Sequence, residues 1–107
     1  SNVMRSGVTS LAKSLSQQLA GEGIRVNNLV PGAINTDRLR GLMQTQSERT
    51  GVPFEEISKA RAATVPMGRF GEADEFGQAG AFLLSDAAAY ITGETLVVDG
   101  GAMKTVW

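Results

Sequence analysis

From Val8 onward, apolar residues fall at Val8, Leu11, Ala12, Leu15 and Leu19, with Lys13, Ser14, Gln17 and Gln18 on other faces. Steps of three and four residues keep one side of a helix apolar. The pattern predicts a helix over about residues 3–20 that buries this stripe, with Gly21-Glu22-Gly23 as its stop. Ile24–Val30 then changes the period: β-branched at Ile24, Val26 and Val30 and cut by Pro31-Gly32, it reads as a strand. Arg25, Asn27 and Asn28 interrupt its apolar character, so at least one asparagine is expected to form internal hydrogen bonds.

The middle of the chain is more polar. Asp37–Arg49, with Leu39, Leu42 and Met43, predicts a short helix capped by Thr36 or Asp37. Phe54–Thr64, with Phe54, Ile57 and Ala60 three apart, predicts a second, and breaks fall at Gly51-Val52-Pro53 and Val65-Pro66-Met67-Gly68. A long, twice-broken polar segment reads as a binding lid rather than a core element. Glu72–Leu84 predicts a further amphipathic helix, with Ala73, Phe76, Ala79, Gly80, Leu83 and Leu84 on its buried face and Phe82 also in the core. Glu72, Asp74 and Glu75 complement the positive end of its dipole. Gly77 and Gly80 each cost about 1 kcal/mol relative to alanine inside a helix, which implies close approach of another backbone. Ser85–Gly93 reads as a loop, and Thr95–Val98 as a buried strand closed by Asp99-Gly100-Gly101. Strands joined through helices predict an α/β chain in which Ile24–Val30 and Thr95–Val98 are adjacent and parallel.

Composition removes several function classes. The chain has 107 residues, ten Lys+Arg against eleven Asp+Glu, and a net charge of −1. That balance argues against a nucleic-acid partner bound by phosphate neutralisation. No apolar run is long enough for a membrane span, so no membrane partner is expected. The absence of both Cys and His excludes disulfides, thiolate or imidazole metal sites and a histidine base, and no metal site is expected. The expected compartment is a reducing cytoplasm.

An ordered set of segments then resembles one family. It comprises Leu11–Leu19, Gly23-Ile24-Arg25-Val26-Asn27, Val30-Pro31-Gly32-Ala33-Ile34-Asn35-Thr36 and Arg69-Phe70-Gly71-Glu72. It continues with Phe82-Leu83-Leu84-Ser85-Asp86, Tyr90-Ile91-Thr92-Gly93 and Val97-Val98-Asp99-Gly100-Gly101. In order and spacing these resemble the short-chain dehydrogenase/reductase family over essentially the whole chain, and most of all its 3-oxoacyl-(acyl-carrier-protein) reductase-like members. The resemblance implies the carboxy-terminal part of a doubly wound, Rossmann-type parallel sheet: two parallel strands with flanking helices, in which residues 1–107 form one piece of a single NAD(P)-binding domain and residues 37–68 a substrate-loop insertion. It also implies an NAD(P)-dependent oxidoreductase acting on a small-molecule or carrier-bound carbonyl substrate.

The same resemblance assigns candidate site residues. Counting back along the first helix puts the family's catalytic tyrosine position on Ser1 and its lysine position on Arg5. Arginine keeps the positive charge and can donate to a ribose hydroxyl, but serine is a much poorer acid than a phenol. Loss of a general acid costs about 10²–10⁴ in rate. Ser1 and Arg5 also fit a helix cap and a solvated base. Pro31, Gly32, Ile34 and Thr36 lie just past the carboxyl end of a strand, where open α/β sheets bind ligands, and by resemblance they contact the nicotinamide end of NADP or NAD. The chain contains no G-x-G-x-x-G phosphate loop, so by itself it is expected to bind no dinucleotide tightly and to be inactive. A non-catalytic relative serving assembly or ligand sensing is the alternative, motivated by Ser1 and Arg5. An uncovered apolar stripe and an unpaired strand edge further imply a homo-oligomer. The cations Arg38, Arg40, Arg49, Lys59, Arg61 and Arg69 are interleaved with Asp37, Glu48, Glu55 and Glu56, which suits a solvated mixed face, or contact with a phosphopantetheine or an acidic carrier.

Overall fold

The computed structural model describes residues 2–103, with side chains from Ser6 onward. Ser1 and the side chain of Arg5 therefore lie outside the described residues. The elements in chain order are α1 (Asn2–Leu19), β1 (Asn28–Pro31), α2 (Asp37–Thr50), α3 (Phe54–Ala63), α4 (Ala73–Leu84) and β2 (Thr95–Val98), with short 3₁₀ turns at Ala20–Glu22 and Asp86–Ala88. β1 and β2 form a two-stranded sheet. Its register is parallel: the Asn28 N–H donates to the Glu94 carbonyl at 2.8 Å and the Gly32 N–H to the Val98 carbonyl at 2.9 Å. The described residues divide into two compact units, one holding 2–30 and 78–97, the other 31–77 and 98–103.

In the first unit, α1 buries less of its stripe than the pattern predicts. At 100° per residue the stripe from Leu11 to Ala12 is wide, and only one border of it is used. Ala12 and Ser16 are buried, Leu19 is half-buried, and Val8 and Leu11 remain 56% and 60% exposed. Small side chains are needed on the buried border because a loop lies against it. A Cβ at Gly93, which has φ +73°, would sit 2.5 Å from Ser16 Oγ. The Ser16 hydroxyl is satisfied locally, donating to the Lys13 carbonyl at 2.6 Å.

The predicted strand Ile24–Val30 is also shorter than expected, since only Asn28–Pro31 pair as a strand. Before it, one backbone bond remains, from the Gly93 N–H to the Val26 carbonyl at 2.7 Å, and side chains supply the rest. The Val26 N–H donates to Thr92 Oγ1 at 3.0 Å, and Asn27 Nδ2 donates to the Ile91 carbonyl at 3.1 Å. Asn27 Oδ1 accepts from the Glu94 N–H at 3.0 Å, so this asparagine makes the internal hydrogen bonds expected of it. Arg25 does more than interrupt a strand. Its Nη1 donates to the carbonyls of Leu83 at 2.7 Å and Ile91 at 3.3 Å, and its Nη2 to that of Ser85 at 3.4 Å. One guanidinium thus satisfies carbonyls left open at the end of α4 and ties them to the following loop.

Around α4 the burial differs from the apolar pattern. Leu83 is buried, but Phe82 is exposed, as is Leu84, and Phe76 is half-buried. A Cβ at Gly80 would lie 3.2 Å from the Leu29 side chain, not from a backbone, and one at Gly77 would meet nothing within 4 Å. The close backbone approach expected at these glycines is absent among the described residues.

In the second unit, the segment expected to be a lid carries the buried side chains. α2 and α3 pack on each other, with Met43 and Ile57 buried along with Val65. Arg61 Nη2 donates to Gln46 Oε1 at 3.2 Å across the pair. Thr36 caps α2 as expected, its Oγ1 accepting from the Leu39 N–H at 3.2 Å.

The Arg25 fork is expected to matter more than a surface cation. Net contributions of about 1.5–3 kcal/mol are typical for hydrogen bonds from charged groups. Arg25→Ala should therefore lower unfolding stability by about 1.5–3 kcal/mol in a urea titration, with Arg25→Lys recovering only part of it because an ammonium cannot reach carbonyls on both sides. Loss of less than about 0.5 kcal/mol, the range of ordinary surface substitutions, would refute this role.

Candidate functional site

The loop leaving β1 is held from three directions. At its start, the Gly32 N–H completes the ladder to Val98, and the chain then passes so close to Asp99 that no side chain fits. A Cβ on Gly32 would stand 2.5 Å from Asp99 Cβ and 2.7 Å from Asp99 Cα. Asp99 is itself fixed, its carboxylate accepting from the Gly101 N–H at 2.9 Å and the Met103 N–H at 2.8 Å. Asp99-Gly100-Gly101 is thus more than a turn closing a strand: it shapes the other side of the loop.

In the middle of the loop, Ile34 forms an isolated parallel bridge with Gly71. The Gly71 N–H donates to the Ala33 carbonyl at 3.0 Å and the Asn35 N–H to the Gly71 carbonyl at 2.8 Å. Extended backbone alternates its polar groups, so the N–H and C=O of Ile34 point to the opposite side. Neither has a hydrogen-bond partner among the described residues. At its end, Thr36 spends an oxygen lone pair on the cap of α2, which leaves its hydroxyl proton free to donate.

The bridge partner is anchored in turn. Arg69 forms a two-pronged pair with Glu75, Nη1 to Oε1 at 2.8 Å and Nη2 to Oε2 at 2.9 Å. Glu75 Oε1 also accepts from the Glu72 N–H at 2.9 Å, the backbone half of a capping box at the start of α4. The Arg69 hydrogen bond, aided by that backbone donor, lowers the Glu75 carboxyl to about 2, and the same hydrogen bond raises Arg69. Arg69-Phe70-Gly71-Glu72 therefore works as a clip, holding Gly71 against Ile34.

These restraints open a groove of about 520 Å³ beside the loop. Pro31, Gly32, Ile34 and Thr36 all line it, so four of the expected site residues are brought together, while Ser1 and the Arg5 side chain lie outside the described residues. Its other walls are Ala33, Arg38, Leu39, Leu42, Ala73 and Phe76. The sequence puts Phe76 on the buried face of its helix and Leu39 and Leu42 on a lid helix, and nothing in their spacing marks the three as walls of one groove. A separate cavity of about 390 Å³ lies among Phe54, Ser58, Lys59, Ala62 and Phe70.

The family model described as Enoyl-(Acyl carrier protein) reductase matches residues 1–103. The chain belongs to the short-chain dehydrogenase/reductase family. It is 46% identical over 97 residues to the 3-oxoacyl-(acyl-carrier-protein) reductase FabG of Escherichia coli (strain K12), covering 91% of this chain and 35% of that protein. A short chain dehydrogenase family protein from Francisella tularensis superimposes with a TM-score of 0.88 at 33% identity, over 94% of this chain and 41% of that one. L-sorbose reductase from Gluconobacter frateurii, solved with NADPH and L-sorbose, gives a TM-score of 0.90 at 28% identity, over 98% of this chain and 40% of that one. The chain thus spans about two fifths of the short-chain dehydrogenase/reductase proteins it matches, and its α/β fold with a parallel strand pair is theirs.

Because the Gly32–Asp99 approach involves main-chain and Cβ atoms, it cannot be relieved by a rotamer change. Gly32→Ala should destabilise the chain by about 1–3 kcal/mol, the usual cost of overpacking a tight site. Urea unfolding of the variant checks this, and an unchanged midpoint would mean that the loop does not depend on the contact.

Proposed function

We propose that the chain is the carboxy-terminal part of a cytoplasmic NAD(P)-dependent oxidoreductase, one piece of a single Rossmann domain, that interconverts a ketone and an alcohol on a small-molecule or carrier-bound substrate of the 3-oxoacyl kind. The observation that carries this reading is the unpartnered N–H and C=O of Ile34 beside a largely apolar groove. A carboxamide offers the complementary acceptor and donor, and a groove of about 520 Å³ lies in the ordinary range for small-ligand sites. The residues present fit the nicotinamide end of the cofactor: Ile34 orients the amide, the Thr36 hydroxyl donates a further hydrogen bond, and Pro31 and Gly32 hold the backbone in place. When bound, the reduced cofactor would supply a hydride to a carbonyl carbon, and a proton drawn from solvent would complete the alcohol. The diphosphate end has no counterpart here, since the chain holds no glycine-rich phosphate loop. Similarity to FabG of Escherichia coli and to the L-sorbose reductase solved with NADPH supports the same reading.

Ser1 and Arg5, at the family's tyrosine and lysine positions, favour a second reading, a family member that binds ligand without turnover. The two separate in one assay. The complete gene product is mixed with NADPH and a 3-oxoacyl thioester while nicotinamide absorbance and cofactor binding are followed. Turnover supports the reductase, binding without turnover supports the second reading, and neither binding nor turnover sinks both. The 107-residue chain alone should show neither.

We further propose a homo-oligomer that covers Val8, Leu11 and Leu15, which α1 leaves exposed in the chain by itself. Leu11→Lys combined with Leu15→Lys should shift sedimentation from an oligomer to a monomer. A wild-type chain that sediments as a folded monomer at micromolar concentration would refute it.

A further inference from the structure

We propose that the groove beside Pro31–Thr36 takes a substrate with an apolar body and one anionic group, and that Arg38 reads the anion. This rests on the reductase reading of that groove and names the substrate class for it. Six cations lie between residues 38 and 69, and the structure sorts them. Arg40 is held by Asp37 and by Asn35 Oδ1, Arg61 by Gln46, and Arg69 by Glu75. Arg49 lies in the last turn of α2, and Lys59 lines the separate cavity. Arg38 alone stands on the groove wall.

Its surroundings define what it can recognise. Every other residue lining the groove is uncharged, with Ile34, Leu39, Leu42 and Phe76 supplying apolar surface. The adjacent carboxylate, Asp37, is engaged by Arg40, so Arg38 has no acidic partner among the described residues. It also sits in the first turn of α2, where the helix dipole adds positive potential. Beside low-dielectric walls such a charge attracts an anion more strongly than it would in open water. A neutral apolar ligand would gain nothing from Arg38, and a cationic one would be repelled. A carboxylate on a hydrocarbon chain meets both parts of the wall at once, and the planar guanidinium suits its two oxygens.

The test compares octanoate with octanamide, which share a hydrocarbon body and differ in charge, by calorimetric titration of the complete gene product without nicotinamide. Octanoate should bind about tenfold more tightly than octanamide, a difference that weakens with added salt. Arg38→Gln should abolish the preference and Arg38→Lys should retain part of it, with circular dichroism verifying that each variant is folded. Arg40→Gln, a neighbouring charge change outside the groove, should leave the preference in place. Equal binding of the two probes, binding of neither, or a preference that survives Arg38→Gln or vanishes in Arg40→Gln would overturn the proposal. Failure here is distinguishable from failure of the reductase reading. If the complete gene product reduces ketones with NADPH but these binding results fail, only the role of Arg38 is lost. If it reduces nothing while octanoate is still preferred through Arg38, the reductase reading falls alone.

Discussion

The missing side chain at Gly32 is the constraint on which the site is built. With Asp99 Cα and Cβ occupying the space a Cβ would need, the chain leaving β1 has one path. Asp99 can hold that position because both its carboxylate oxygens are spent on backbone donors, Gly101 and Met103. The path leads to the Ile34–Gly71 bridge, and Gly71 is placed by the Arg69–Glu75 clip at the start of α4. Each link leaves the next with little freedom, so the polar groups of Ile34 are held ready rather than found by a mobile loop. Preorganisation of this kind spares a ligand the entropy of ordering the chain around it.

What the sequence made legible divides along the same line. Features that depend on neighbours in the chain were readable: the Thr36 cap on α2 and the stop after α1. Asn27 was readable as a residue needing internal partners, though not as a side chain that supplements a thinned strand ladder. Features that depend on distant surfaces were not. The α1 stripe is apolar across a wide arc, and spacing alone cannot say that the Ala12–Ser16 border meets Gly93 while Val8 and Leu11 stay exposed. Phe82 and Leu84 fail for the same reason, since an apolar side chain on a helix marks a surface suited to burial without naming its cover.

The site shows the same division at closer range. Pro31, Gly32, Ile34 and Thr36 lie within six successive residues, so a resemblance carried by a short motif can find them together. The surfaces that make their loop into a groove come from elsewhere: Leu39 and Leu42 from α2 and Phe76 from α4. These same residues satisfy helical periodicity, and periodicity cannot separate a side chain that seals a core from one that lines a groove. The cations were opaque for a related reason. In sequence, Arg38 and Arg40 are equivalent members of a mixed-charge run, yet Asp37 and Asn35 take Arg40 and leave Arg38 on an otherwise uncharged wall. One ion pair within a single helical turn therefore decides which arginine on this stretch is left without an acidic partner on the groove wall. Charge becomes chemically specific here by elimination, once its neighbours have neutralised one another.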